Sequence, residues 1–408
     1  MKRFVAALVC VNTIEAHEVV FGETDYKLNN YFVFESSGTY DVARVKLQNR
    51  AFMNEEVTLR VKGNTLKHQT SVAPKAFSEI KANGLKIHLK FEKGEKDYVK
   101  MPDDCSDMFR NSVSIVSIDF GGISSNPGIQ NMAGMFRGCA TLEQVELGRL
   151  NTSEVTSMNG MFKKCGKLKS LNLSGFKTSK VTDMSAMFSE CEELTGLDLN
   201  NFDTHNVTST KQMFECCHSV KYLNIENMNT SKVTNMWNMF AHCLELRTLN
   251  LSNFDTRNVN SMNGMFGCCE NLIYLDLSSF DTRQVTDMGF MFWRCHDLLN
   301  INLDNFATNR VTNMEFMFDA CYSLLNLNLH NFDTRNVHIM SSMFEGCRSL
   351  TNLDLSNFNI KAMCNMQCMF YGCSNLITLT FGNLNGRILQ NTDTAFGECI
   401  SLLHKTFA

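Results

Sequence analysis

From about residue 108 to the C-terminus, apolar positions return at a fixed interval of 26 residues. In the unit that begins at Leu246, the apolar set is Leu246, Leu249, Leu251, Phe254, Val259, Met262, Met265, Phe266 and Cys269. The three leucines read L-x-x-L-x-L and end in the period-two alternation of a short strand. Ser252-Asn253 carries turn chemistry, and Phe254 then points back inward. The last five positions, from Val259 to Cys269, advance by three, three, one and three residues. That spacing predicts one face of a helix or helical turn. Each unit is therefore expected to run strand, turn, helical segment, and to return to its start.

The register is carried most plainly by Met-Phe-x-x-Cys, whose cysteine falls at 139, 165, 191, 217, 243, 269, 295, 321, 347 and 373. Ala395-Phe396 with Cys399 is a further copy that lacks the Met, and Met108-Phe109 with Ser112 is an imperfect earlier one. A period between 20 and 29 with this leucine spacing marks a leucine-rich-repeat solenoid. A single unit cannot bury enough apolar surface to fold alone, so stability must come from stacking neighbours. The fold predicted is an α/β repeat solenoid, a right-handed stack of coils with a short parallel strand and a helical turn in each. Residues 101–408 form about twelve such units. Residues 1–100 show no repeat, but Tyr31–Phe34, Asp41–Leu47, Val57–Val61 and Leu85–Phe91 alternate like strands. They are expected to form a small β-rich N-terminal domain or a cap over the first open coil.

The repeat text resembles the BspA-like leucine-rich-repeat family of bacterial surface proteins. The residues that carry the likeness include Leu353-Asp354-Leu355-Ser356-Asn357-Phe358, Phe254-Asp255-Thr256-Arg257-Asn258-Val259 and Met343-Phe344-Glu345-Gly346-Cys347. The resemblance spans Met108 to the C-terminus and implies a right-handed solenoid with roles in adhesion or interaction, usually at a cell surface. It implies no ligand, and similar repeats in protists and large DNA viruses leave the host open.

Composition sharpens this in three ways. The net charge of −4 gives no general attraction to nucleic acid or anionic membrane. Seventeen cysteines is an odd number, so they cannot all pair within the chain, and eleven of them occupy one column of the repeat. No apolar run reaches the ~18 residues of a membrane span. Lys2-Arg3 followed by apolar Phe4–Val11 reads either as a minimal signal-peptide core or as a first strand. The first reading favours a secreted or surface location, the second an intracellular one.

Several columns are candidates for function. The cysteine column is expected to be small buried hydrophobes rather than a metal or disulfide array, with Cys364, Cys368 and Cys373 the densest cluster. The methionines, at helical spacing beside Phe and Val, are expected in the core. Lys180, His205, Lys232, Arg257, Arg283, Arg310, Arg335 and Lys361 line one edge, where they could grip a polyanion. Asp203, Asp255, Asp281 and Asp333 stand close enough to neutralise them. On the strand face, an Asn/Asp column from Glu146 through Asn172 and Asp198 to Asp354 could bind a ligand or hydrogen-bond along the stack. Tyr222 and Tyr274 on that face, with Trp237, Phe290, Trp293, Phe316 and Tyr322 where other units carry small or polar residues, are candidate interface anchors. Nothing pairs a nucleophile with a base, and no cofactor motif occurs, so an enzyme is not expected. The expected function is a monomeric binding or adhesion scaffold for a protein or glycan ligand. The alternatives are an intracellular or virion structural spacer and, through the basic edge, a polyanion binder; nucleic acid is not the expected partner.

Overall fold

The computed structural model describes residues 17–21, 27–28, 32–35, 42–47, 56–62, 71–81, 84–94, 98–124, 128–148, 150–359, 365–382 and 392–407. The apolar N-terminal segment, Lys361 and Cys364 lie outside the described residues. The molecule is a parallel β-solenoid. Strands β1 (His17–Phe21), β5 (Glu56–Lys62), β6 (Lys86–Glu92), β7 (Ile115–Asp119) and β8 (Gln144–Glu146) form one sheet in that order, all parallel. Between them in sequence, β2 (Lys27–Leu28), β3 (Phe32–Glu35) and β4 (Arg44–Leu47) make a small antiparallel sheet. The expected division at residue 100 falls inside the parallel sheet, between β6 and β7.

Beyond β8 the strands are only two to four residues long: β9 (Gly196–Asp198), β10 (Tyr222–Asn224), β11 (Thr248–Leu249), β12 (Tyr274–Leu275), β13 (Asn300–Ile301), β14 (Asn352–Leu355), β15 (Thr378–Phe381) and β16 (His404–Phe407). Pairing is parallel and shifted by one repeat, as in Leu249 with Leu275 and Leu275 with Ile301. A second ladder, one residue wide per coil, links Asp104, Asn131, Ser157, Asp183 and their successors as far as Asn365.

The expected helical segment is absent. Among the described residues the one helix is a four-residue turn, α1 (Thr392–Ala395). The return is an arc of tight turns, shown by Met184–Cys191. The amides of Met187, Ser189 and Cys191 bond to carbonyls three residues back, at 3.2, 3.2 and 3.1 Å. The alternate amides of Ala186, Phe188 and Glu190 bond instead to Lys211, Met213 and Glu215 of the next coil, at 2.8, 2.9 and 2.7 Å. Ala186 and Glu190 have φ of 53° and 62°. A left-handed residue at every fourth place reverses the chain before an α turn can close, and so turns half of the amides outward to the neighbouring coil. The same two positions are left-handed in coil after coil, with Gly134 and Gly138 at φ 62° and 76° in one of them.

The arc still delivers the predicted side chains to the core. Val, Met, Met, Phe and Cys of each regular described coil are buried. The arc phenylalanines form an unbroken stack from Phe77 through Phe109 and Phe136 to Phe396, with ring centroids 5.1–5.9 Å apart and planes within 16°. Phe77 precedes the regular repeats, and Lys75 and Glu79 around it are left-handed at φ 59° and 60°. The arc geometry therefore begins before the sequence motif does.

Two polar columns are built into this core. Each thiol of the repeat column, Cys139 and every twenty-sixth residue to Cys399, donates to the Phe carbonyl of the preceding coil, at 2.9–3.3 Å. Each buried Thr of the column Thr152, Thr178, Thr204, Thr230, Thr256, Thr282, Thr308 and Thr334 donates to one backbone carbonyl of the next coil and accepts that same residue's amide, as Thr256 does with Asp281 at 3.0 and 2.8 Å. No described cysteine is in a disulfide. Burial pushes the Cys139, Cys191 and Cys269 thiols up to about 12, which suppresses the reactive thiolate. Among the described cysteines, alkylation of the native chain at mildly alkaline pH should therefore be slow and fastest at the partly exposed Cys216, Cys368 and Cys399, and on denaturation without reductant it should reach all 17 thiols of the chain. Rapid native labelling, or thiols blocked after denaturation, would contradict this packing.

Candidate functional site

The strand face is where the coil presents residues between its inward leucines. The Asn/Asp column on it closes the corner after each strand. Oδ1 of Asn172, Asp198, Asn250, Asp276, Asn302, Asn328 and Asp354 accepts the amide two residues on, at 2.9–3.3 Å. This is an Asx turn repeated along the stack. Asn250 and Asn328 also reach back to Glu226 and Asp304, both at 3.0 Å.

The neighbouring columns of the same face are apolar over several successive coils. Tyr222 is 58% exposed and Tyr274 is 61% exposed. Beside them Ile273, Leu299 and Leu325, one per coil, are 40%, 41% and 48% exposed. The Tyr222 ring lies over Gly196 of the preceding coil, where even a Cβ would come within 2.1 Å of it. Large aliphatic side chains left in water in three consecutive coils form a contiguous patch rather than scattered exposure. On the N-terminal side the same column continues as exposed Lys169, Lys221 and Arg247. Sequence reasoning found the two tyrosines and missed the aliphatic column, because Ile273, Leu299 and Leu325 each follow a core leucine and read as its continuation.

The other expected anchors sit on the arc, each partly exposed. Phe290 and Phe316 stack on one another at 4.9 Å. Trp293 meets Phe290 edge-on at 5.8 Å and His242 at 6.3 Å, and its indole N–H donates to Asp319 at 2.9 Å. Trp237 donates to Asn263 at 3.2 Å and carries the Lys211 ammonium over its ring at 4.3 Å. Tyr322 is separate from this group, stacked on His296 at 4.6 Å with Arg348 over its ring.

Burial, with the nearby Glu345 charge, pushes the Asp319 carboxyl up to about 6. The folded value lies above the unfolded one, so ionised Asp319 lowers stability above about pH 6, and the cost is relieved as pH falls toward the ordinary carboxylate range. Asp319→Asn should raise stability at neutral pH by about 1 kcal/mol, allowing for partial solvation. It should also remove this group's share of any gain in melting temperature between about pH 7 and about pH 5. An unchanged profile would contradict the assignment.

On the basic edge, Arg257, Arg283 and Arg335 turn back onto Asp255, Asp281 and Asp333 of their own coils, with Nε–Oδ1 distances of 2.8, 2.9 and 2.9 Å. The guanidinium hydrogen bonds hold those three carboxyls below their usual range. His205 pairs with Asp203 in the same way. Lys180 reaches back one coil to Glu154, Lys232 to Asn206 and Arg310 to Gln284. Most of the edge is thus matched by carboxylates of the same surface. Among the described residues no helix is long and apolar enough to cross a membrane.

Comparison with solved structures finds a leucine rich cell surface protein from Faecalibacterium prausnitzii A2-165 at 14% identity, covering 95% of this chain and 96% of that one, with a TM-score of 0.44. A leucine-rich repeat protein from Bacteroides ovatus is also 14% identical, covering 94% and 99%, with a TM-score of 0.46. A leucine rich repeat protein from T. pallidum is 17% identical, covering 61% and 91%, at 0.33. No curated protein matches the chain. Residues 103–223, 208–324 and 296–406 each match one family profile, and together they span the whole regular array. The chain belongs to the family described as Mycoplasma protein of unknown function, DUF285.

Proposed function

We propose that this solenoid is a non-catalytic binding scaffold of the BspA-like kind, working at a cell surface or after secretion, that recognises a protein or glycan through its strand face and neighbouring loops. The observation that carries this reading is the exposed column Ile273, Leu299 and Leu325 beside Tyr222 and Tyr274. Those side chains do nothing for the stack that polar residues do not do in other coils, as Thr195 and Thr351 occupy the same column. Aliphatic and tyrosine anchors together favour a protein ligand for this face, with Lys221 and Arg247 selecting an acidic rim by charge.

A photo-crosslinking residue placed at Leu299 tests the reading, with one at Gln284 on the basic edge as control. The chain carrying each is exposed to intact cells and extracellular matrix. The proposal expects a discrete adduct at position 299 that is absent at 284 and is competed by unlabelled chain. Equal or absent labelling at the two positions overturns it and leaves a structural spacer as the better account. Salt-sensitive retention on heparin with labelling at 284 alone would turn the reading to a polyanion binder.

A further inference from the structure

The corner that follows each strand is built from three columns, and all three break their pattern at one place. An Asn, or once Ser279, stands just before the inward aromatic position in every coil from Asn201 to Asn357. Its side chain donates to carbonyls of the preceding coil. Asn201 Nδ2 reaches those of Leu173, Ser174 and Phe176 at 3.0, 3.4 and 3.2 Å. Asn305, Asn331 and Asn357 repeat the contact on the equivalent carbonyls. In the coil before Asn201, Gly175 holds this place. The carbonyls it would serve belong to Leu147, Gly148 and Leu150. Among the described residues no hydrogen bond reaches those of Gly148 and Leu150.

The second column is the inward aromatic itself. Phe176, Phe202 and their successors to Phe358 fill it, apart from Met228, but Ile123 and Leu150 stand there in the two coils before. The third is the edge column, in which Asp203, Asp255, Asp281 and Asp333 hold His205, Arg257, Arg283 and Arg335. Lys177 occupies it here, and nearby Lys180 turns back to Glu154 instead.

The three breaks leave an open notch of about 380 Å³, whose lining includes Tyr98, Ile123, Gly148, Leu150, Gly175 and Lys177. That is large enough for a small ligand. An added Cβ at Gly148 or Gly175 meets nothing within 4 Å, so the space lies directly over the two glycines. The notch thus joins an apolar floor, two carbonyl oxygens that no side chain serves, and an ammonium. A ligand that answers all three carries an apolar side chain, an N–H donor and a carboxylate close together. A phosphate lacks the donor, and a free amino acid sets a second ammonium beside Lys177.

We propose that this corner binds the C-terminal residue of a peptide. The carboxylate pairs with Lys177, the amide N–H donates to the carbonyls of Gly148 and Leu150, and an aliphatic side chain packs on Leu150, Ile123 and Tyr98. The site shares no residue with the strand-face patch, so the two stand or fall separately.

Calorimetric titration of the full chain with acetyl-alanyl-leucine should give saturable binding. The same peptide ending in a carboxamide should bind about tenfold more weakly, because the neutral end leaves Lys177 unpaired. Free leucine should also bind more weakly than the acetylated acid. Gly175→Asn restores the side chain that later coils carry, at a position that is not left-handed and has open space. That variant should melt no lower than wild type and should lose the peptide. Lys177→Asp, which installs the acid found elsewhere in the column, should lose it as well. No binding of the acetylated acid, equal affinity for acid and carboxamide, tighter binding of free leucine, or undiminished binding by either folded variant would each overturn the proposal.

Discussion

Phe266→Ala is expected to lower stability by about 3–5 kcal/mol, the range for large aromatic core truncations. Phe266 is fully buried and stacks between Phe240 and Phe292 at 5.7 and 5.8 Å. The hole left by its ring cannot close. The amide of Phe240 is bonded to Met265 at 2.9 Å and that of Phe266 to Met291 at 3.0 Å, so both flanking coils are pinned at fixed spacing. Residual cavity volume adds to the lost transfer free energy where the surroundings cannot relax. The position also lies mid-array, where stability is a sum over neighbouring coils. The weakened interface should therefore broaden or split the urea transition rather than merely shift it. Arg257→Ala in the same coil should leave the transition in place, because its ion pair with Asp255 is solvent-exposed. Equal transitions for the two variants would mean that the stack does not bear on stability.

Thr256→Val should cost about 2–4 kcal/mol although it changes no volume, because each buried backbone group left without a partner costs about 1–3 kcal/mol. The Thr256 hydroxyl satisfies both the amide and the carbonyl of Asp281. Valine fills the space and orphans both. Thr256→Ser keeps the hydroxyl and should recover most of the loss. If valine and serine variants melt alike, the ladder is an accident of packing and not a support. Eight threonines, Thr152 to Thr334, hold this place one coil apart, so the same outcome is expected at any of them.

Much of this architecture is legible in the repeat because the columns that must be apolar in every coil are those the structure buries. The inward Leu, Val, Met, Phe and Cys positions follow directly from a 26-residue register. The return segment is misread because steps of three, three, one and three fit a helix and an arc of turns alike. The distinguishing signal lies in the positions between. Glycine recurs there at two columns four residues apart, as in Gly134 and Gly138, or Gly264, Gly346 and Gly372. A helix interior would be weakened by each of them, and a left-handed position requires them or their tolerant substitutes. The Thr column is visible as a repeat, but nothing in a polar β-branched residue announces that it is buried with its hydroxyl fully used. The strand-face Asn/Asp column fits a ligand or a side-chain ladder on sequence grounds; its corner-closing bonds to the backbone need coordinates to be seen. Of the aromatics, Tyr222 and Tyr274 share the strand face, while Trp237, Phe290, Trp293 and Phe316 gather on the arc. Spacing alone does not separate the two groups, because which face a residue meets depends on the turn geometry that the helical reading replaced.

Both candidate surfaces depend on that geometry. An arc of turns with outward-bonded amides presents the Phe290 and Phe316 rings at its left-handed positions and fixes which columns the strand face exposes. Far-ultraviolet circular dichroism of the full chain tests this most directly. The account predicts a β-type spectrum with a single dominant minimum and only marginal helix. A spectrum with the strong paired minima that a helix in every coil would impose contradicts it.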